Sequence, residues 1–393
     1  MLPNALYIKK GFEKSIYDGH PWIYKNAINR IRGKFTPGDL VEIKDWRGKF
    51  LGIGYANPAS YITARVLTRE QESIDEGFWH KRLKRALDFR RNIGVNTLDA
   101  YRLVFSEADF LPGLIIDKFG DYIVMQVLTL GMERVKDTIV KILIDLLPVK
   151  GIYQKNNATV RAFEGLTLED SIIFGEVPEK VVIEENDVKF CVNIAGGQKT
   201  GHFLDQRCNR ILLKGVAQGA NVLDAFCYTG GFGLNAAKFG AKSVLGVDVS
   251  EEAIRTASHN AKMNEVDEIC EYEVANVFDR LRELEKEGQQ FDVVVLDPPA
   301  FTKSKKAVEG ALRGYKEINL RAMKIVKEGC FLLTCSCSHH ISWDLFESVI
   351  FEAAKDARKT LRIIARGGQP PDHPILLGFD ESLYLKCLLL EVS

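Results

Sequence analysis

The sequence predicts an α/β protein: a C-terminal doubly wound, mostly parallel sheet, preceded by a small β-rich module and a central α+β module. Three observations predict it. From about Lys189 onward, short apolar runs alternate with helical patterns, as in repeated strand–helix–strand units. A glycine turn, Thr229-Gly-Gly-Phe-Gly233, closes one such run, and Asp297-Pro-Pro-Ala-Phe301 closes another. Residues 1–70 instead alternate apolar and polar side chains between turn residues, the mark of half-buried strands.

In chain order, the first segment (1–70) carries this alternation in Leu40-Val-Glu-Ile-Lys44 and Tyr61-Ile-Thr-Ala-Arg-Val-Leu67. Gly33-Lys-Phe-Thr-Pro-Gly38, Asp45-Trp-Arg-Gly48 and Asn57-Pro58 supply the turns between strands. The second segment (71–188) opens on a basic amphipathic helix over 78–93. Phe78, Leu83, Leu87 and Phe89 form its apolar stripe, with Lys81, Arg82, Lys84, Arg85, Arg90 and Arg91 around them. Apolar runs at 114–116 and 122–128, a helix near 132–147, and strand signals at 152–153 and 172–174 complete an α+β module. In the third segment (189–393), strands are expected at 221–225, 243–247, 271–275, 291–296, 331–333 and 384–390. Helices are expected at 232–239 and 251–263.

Composition narrows the function classes. The chain has 393 residues, 46% hydrophobic and 27% charged, as in globular proteins. No apolar run approaches the roughly 18 residues of a membrane span. The first residues show no apolar stretch followed by a small-residue cleavage site, so a cytoplasmic location is expected. Eight scattered cysteines fit a reducing compartment better than a disulfide framework. The formal net charge of zero argues against binding nucleic acid by bulk charge. Residues 1–70, however, hold 12 Lys/Arg against 6 Asp/Glu, and Lys303, Lys305, Lys306, Arg313 and Lys316 form a second basic cluster. Both are candidate phosphate contacts, although such lysines are commonly just solvated.

The glycine turn marks a cofactor site. Val222-Leu-Asp-Ala-Phe-Cys-Tyr-Thr-Gly-Gly-Phe-Gly233 reads as a strand running into a turn that opens a helix, and Asp248 ends the next strand, 17 residues after Gly231. A carboxylate there suits ribose hydroxyls. A dinucleotide site would need Gly-x-Gly-x-x-Gly and a loop hospitable to pyrophosphate. Here the glycine spacing differs, and Asp224 at the loop mouth repels an anion. It suits the ammonium and sulfonium of S-adenosylmethionine. Asn276, after the third strand, is placed for the adenine or serves simply as a turn residue.

The reacting end lies at two further strand tips. Asp297-Pro-Pro is stiffened by its prolines; Asp297 suits the exocyclic amine of a flipped-out cytosine, and Phe301 suits stacking on the base. Thr334-Cys-Ser-Cys-Ser338 brings thiols. A thiolate adding to carbon 6 of cytosine makes carbon 5 nucleophilic, and a thiol of pKa roughly 8.5 must be ionised to do so. Spacing does not choose between Cys335 and Cys337, which share a face in an extended strand. Structural cysteines, or a metal site with His339 and His340, are the competing readings, the latter weakened by the absence of CxxC spacing.

These residues together resemble the RlmI-type bacterial 23S rRNA (cytosine-C5)-methyltransferases, class I S-adenosylmethionine-dependent enzymes. The resemblance spans nearly the whole chain. It rests on Gly197-Gln-Lys-Thr-Gly-His-Phe-Leu-Asp-Gln-Arg207 with Asn209-Arg210, Tyr228-Thr-Gly-Gly-Phe232, Asp297-Pro-Pro, Arg313-Gly-Tyr-Lys-Glu-Ile-Asn319 and Ser336-Cys-Ser338. Residues 1–70, with His20-Pro-Trp22, are similar to that family's RNA-binding PUA domain. Arg102-Leu-Val and the run from Leu111 to Gly120 are similar to its central domain.

The resemblance implies a Rossmann-like methyltransferase domain over 189–393 that makes 5-methylcytosine. It places the nucleophile on Cys337 and the target base at Asp297. It places the cofactor at Asp224, Asp248 and the Gly230/Gly231 turn; Tyr228, Thr229, Phe232, Asn276 and Asp297 are expected to contact it as well. Expected RNA contacts are Lys199, Phe301, Lys303, Lys305, Lys306 and Arg313. The expected partner is RNA, 23S rRNA first, with no membrane and a homodimer left open. Cys335 and the two histidines depart from the family pattern. Wider relatives methylate guanine, so the fold does not fix the base. Methylation of a guanine or of another RNA such as tRNA, and a non-catalytic assembly factor, remain the alternatives.

Overall fold

The computed structural model describes residues 2–302 and 304–393, and for Lys305 only its backbone. The chain divides into two compact units. The first comprises residues 1–183, 192–204 and 371–382; the second comprises 184–191, 205–370 and 383–393.

The first unit holds two sheets. One has six strands, in the order Trp22–Tyr24, Ile62–Thr68, Phe50–Ala56, Leu40–Lys44, Ala5–Ile8 and Ile28–Arg32. Leu6, Ile8, Val41, Ile43, Leu51 and Val66 fill its core, and Val41, Ile43 and Val66 are apolar positions of the alternation. Its polar positions Glu42, Thr63 and Arg65 are buried as well, so these strands are covered on both faces. The other has five strands, in the order Asp170–Gly175, Gly151–Lys155, Tyr122–Val127, Leu114–Phe119 and Ala100–Phe105. Helices Glu76–Asn92 and Lys136–Leu146 share its hydrophobic core. The first of these helices starts where Asp75 accepts from the backbone N–H of Phe78, an N-cap.

One expectation fails in that helix. Arg90, grouped with the basic residues around the apolar stripe, is fully buried. Its guanidinium forks onto Asp109, with the second N–H to oxygen contact at 2.8 Å. It also donates to the carbonyls of Arg102 and Asp372. Helical spacing identifies the apolar stripe but not a bidentate partner on another element.

A two-stranded hairpin, Lys180–Glu185 and Val188–Asn193, turns through Asn186 and Asp187 with φ of 55° and 62°. Left-handed residues there match strand twist.

The second unit is built on one seven-stranded sheet. Its strands are β1 (Asn221–Ala225), β2 (Ser243–Asp248), β3 (Cys270–Val274), β4 (Phe291–Leu296), β5 (Val326–Ser336), β6 (Leu361–Gly368) and β7 (Lys386–Val392). They lie in the order β3-β2-β1-β4-β5-β7-β6. The first five are parallel, and β7 runs antiparallel to both neighbours. The helices are α1 (Gly231–Lys238), α2 (Glu251–Met263), α3 (Val277–Lys286), α4 (Val308–Ile325) and α5 (Trp343–Ala357). Strands β1, β4 and β5 are apolar on both faces because helices cover both. The chain order reverses between β1 and β4, so the carboxyl ends of β1, β2, β4 and β5 border the switch-point crevice where such sheets bind ligands.

Candidate active site

Asp224, on β1, is completely buried. Its Oδ2 accepts from the Gly233 N–H at 2.7 Å, while Oδ1 has no hydrogen-bond partner among the described residues. Burial pushes its pKa up to about 7; the Gly233 N–H opposes this and the Asp297 carboxylate adds to it. An orphaned buried acceptor costs roughly 1–3 kcal/mol and calls for a donor.

The loop after β1 is conformationally strained. Phe226 and Tyr228 take left-handed φ of 65° and 48°, and Gly230 follows at 84° as the residue before α1. A Cβ on Gly230 would stand 2.8 Å from the Tyr272 hydroxyl, so no other residue fits without displacement. Asp248 at the tip of β2 fastens this loop by accepting from Tyr228 N–H at 2.9 Å. It also accepts from Ser250 N–H at 2.9 Å, at the start of α2. Tyr228 and Thr229 are half-buried, whereas Gly231 and Phe232 are buried in the first turn of α1. Asn276 is exposed and caps α3, its Oδ1 accepting from Phe278 N–H at 2.9 Å.

At the tip of β4, Asp297 Oδ1 accepts from Gln206 Nε2 at 2.7 Å. Gln206 in turn accepts from Asn209 at 2.5 Å, which fixes the carboxylate's rotation. Beyond it, Cys337 follows the last residue of β5. Its sulfur lies 3.7 Å from the Pro298 carbonyl, bringing it to the Asp297-Pro-Pro turn. The serines on either side of Cys337 are both held by Tyr315 of α4. Ser336 donates to the tyrosine oxygen at 2.9 Å, and Ser338 lies 3.0 Å from it. Burial pushes the Tyr315 pKa up to about 12, so the clamp stays neutral.

Cys335 is placed very differently. It is fully buried opposite Cys387 on β7, and burial pushes its thiol pKa well up. Cys337 is only half-buried. The common face expected from strand alternation ends at Ser336, where β5 stops. Among the described residues no group of three or more His, Cys, Asp or Glu side chains forms a metal site. No helix among them is long and apolar enough to cross a membrane.

Phe301 lies in a chain of rings, 4.7 Å from Tyr315 and 5.8 Å from Phe278, and Gly314 leaves room for it against α4. Lys306 and Arg313 are exposed; Lys316 pairs with Asp356 at 2.8 Å. Lys303 lies outside the described residues. Lys199 belongs to the first unit, with a φ of 49° and its ammonium 4.6 Å from the Phe203 ring. Also in that unit, Trp46 is flanked by Arg47 and Lys10 at 4.4 and 5.5 Å from its ring. Lys49 faces Tyr17 at 5.2 Å, and Arg30 faces Tyr7 at 3.9 Å.

A PUA-like domain model matches residues 6–69, and a model for S-adenosylmethionine-dependent methyltransferases matches residues 169–391. Ribosomal RNA large subunit methyltransferase I of Tolumonas auensis is 43% identical over 394 residues, covering 99% of both chains. The chain belongs to the ribosomal RNA large subunit methyltransferase I family. Its counterpart in Vibrio cholerae is 43% identical over 387 residues, covering 97% of this chain and 98% of that one. A crystal structure of a protein assigned as a methyltransferase and complexed with SAH superposes with a TM-score of 0.86. It is 22% identical and covers 98% of this chain and 99% of the other, which speaks to the fold.

The cofactor of this methyltransferase family member is therefore S-adenosylmethionine, and the strand tips fit it. Asp224 offers an unsatisfied buried acceptor for an ammonium, and Asp248 a half-buried carboxylate for ribose hydroxyls. Sequence reasoning assigned no role to Gln206, Tyr315 or Lys386. The first two stood inside quoted motifs. The third was signalled by a lone charge in the apolar run Tyr384-Leu-Lys-Cys-Leu-Leu-Leu390.

Proposed function

We propose that this protein methylates carbon 5 of a cytosine in large-subunit ribosomal RNA, with Cys337 as the nucleophile. The observation that carries the reading is the contrast between the two thiols. Cys335 is sealed against Cys387, whereas Cys337 stands past the strand end beside Asp297-Pro-Pro. The names of the relatives support the RNA class.

When bound, S-adenosylmethionine supplies an electrophilic methyl group and leaves as S-adenosylhomocysteine. The thiolate of Cys337 bonds to carbon 6, and the electrons of the 5,6 double bond become available at carbon 5 to take the methyl group. A base then removes the carbon-5 proton; the double bond re-forms and the carbon–sulfur bond breaks, returning the thiolate. Asp297, its rotation fixed by Gln206, accepts from the exocyclic amine and favours protonation at ring nitrogen 3. Such chemistry needs the base out of its stack. The exposed cation–aromatic pairs at Trp46 and Tyr17, in a segment with excess positive charge, support RNA contact by the PUA-like domain. Lys306 and Arg313 supply exposed cations after the Asp-Pro-Pro turn, and Lys199 and Phe301 are further proposed RNA contacts, each within its own unit.

The test is methylation of naked 23S rRNA, 16S rRNA and tRNA with labelled S-adenosylmethionine, followed by nucleoside analysis. 5-Methylcytidine in 23S rRNA is expected. Cys337→Ala should lose the activity by roughly 1,000-fold or more and fail to trap 5-fluorocytosine RNA covalently; Cys335→Ala should retain both. Label in a guanosine would remove Cys337 from the chemistry.

A further inference from the structure

Lys386 sits on β7 directly across from Ser336 of β5 and is only 1% exposed. Its Nζ donates to the carbonyls of Ser338 and Tyr384, at 2.8 Å each. Two of its three N–H groups are thereby committed to the backbone on either side of the Cys337 turn and the start of β7. Among the described residues no carboxylate forms an ion pair with it. An ammonium buried without a counter-ion is costly, and carbonyl oxygens compensate only in part. Burial pulls its pKa down to about 8, and the nearby Cys337 sulfur acts in the opposite sense.

We propose that Lys386 is the positioning residue for Cys337: its ammonium stabilises the sulfur as thiolate, and its bond to the Ser338 carbonyl fixes the turn that presents it. In the thiol form the sulfur donates to the Pro298 carbonyl; on ionisation that contact loses its proton and attraction to Lys386 replaces it. The other groups packed here push differently. The Asp297 carboxylate on β4 opposes ionisation, while burial keeps Tyr315 on α4 and the Cys335 thiol neutral. Lys386 is thus the cation that offsets Asp297. The catalytic consequence rests on the reading of Cys337 as nucleophile; the electrostatic coupling does not.

The test is the pH dependence of iodoacetamide alkylation at Cys337, followed by peptide mass spectrometry on the full-length protein without RNA. The exposed Cys208 serves as internal reference. In Lys386→Met the Cys337 profile should move up by at least about one pH unit, slowing the reaction at pH 7 about tenfold, with Cys208 unmoved. A folded Lys386→Met protein with an unchanged Cys337 profile overturns the proposal. If that variant fails to fold, the reciprocal measurement decides. In Cys337→Ser, carbon-13 NMR of the Lys386 side chain should show its pKa falling below that of the wild type, and an unchanged value overturns the coupling. Methylation by Cys337→Ala tests the nucleophile separately. Activity there with a normal alkylation shift in Lys386→Met would sink the catalytic role and leave the coupling standing.

Discussion

Buried charge at the strand tips of the second unit is handled differently from buried charge in the first. In the first, Arg65 meets Glu164 at 3.0 Å, Arg90 forks onto Asp109, Arg102 onto Asp117 and Arg161 meets Glu133 at 3.0 Å. At the strand tips of the second, among the described residues, Asp224 leaves one buried oxygen without a donor and Lys386 has no carboxylate partner. Buried pairs of the first kind hold elements in register, and removing one partner is expensive. Isolated buried groups of the second kind need another explanation, which a ligand or a titrating thiol provides. Lys155 sharpens the contrast. It too is buried and donates to two carbonyls, of Ile194 and Gly197, yet Asp170 supplies its opposing charge. The same side chain is an anchor in one unit and, by our inference, an activator in the other.

The largest stability effect should therefore come from the first unit. Arg90→Met strands Asp109 with the Phe105 N–H at 2.6 Å as its remaining partner. It should cost roughly 3–5 kcal/mol in urea unfolding. Replacing Asp109 by Leu in the same protein should return much of that loss. A cost under about 1 kcal/mol would break the comparison, because the pair would then be dispensable.

Asp224→Asn should behave in the reverse sense. The folded pKa of Asp224, about 7, lies above its ordinary value of 3.8. The folded protein thus binds more protons than the unfolded chain between those values, and its stability falls as pH rises through that window. Without cofactor, the wild type should lose stability from about pH 4 to about pH 7, and Asp224→Asn should flatten that slope. The variant should also bind S-adenosylmethionine roughly 10- to 100-fold more weakly in calorimetry. Equal slopes in the two proteins would show that Asp224 is not the titrating group.

The sheet of the second unit was legible because strand–helix alternation and strand-tip motifs are local signals. Asp224, Asp248, Asp297 and Cys337 therefore come to one rim as their positions in the run of elements require. What escaped depends on distance in sequence. Arg90 reads as a surface charge until Asp109 and the Asp372 carbonyl, 282 residues away, are placed beside it. The different burial of Cys335 and Cys337 follows from the end of β5, since alternation stops applying where the strand does. Lys386 was visible only as a charge out of place, and its meaning came from β5 lying opposite.

Tyr315 gives the smallest and finest test, because it is a fully partnered group inside the second unit. Its hydroxyl joins Ser336 and Ser338, so it resembles the anchors of the first unit in bonding while serving the reactive rim. Tyr315→Phe keeps the ring packed against Phe301 and Phe346. It removes only the bridge, so it should cost roughly 1 kcal/mol in denaturant unfolding. S-adenosylmethionine affinity should stay unchanged, since the hydroxyl lies at the tip of β5, away from Asp224 and Asp248 on β1 and β2. Methyl transfer, however, should slow by about tenfold as the turn carrying Cys337 loses its fixed geometry. If the turnover and the stability both stay at wild-type values, the flanking serines are held by the strand alone. If stability falls and turnover does not, the clamp belongs with the anchors of the first unit.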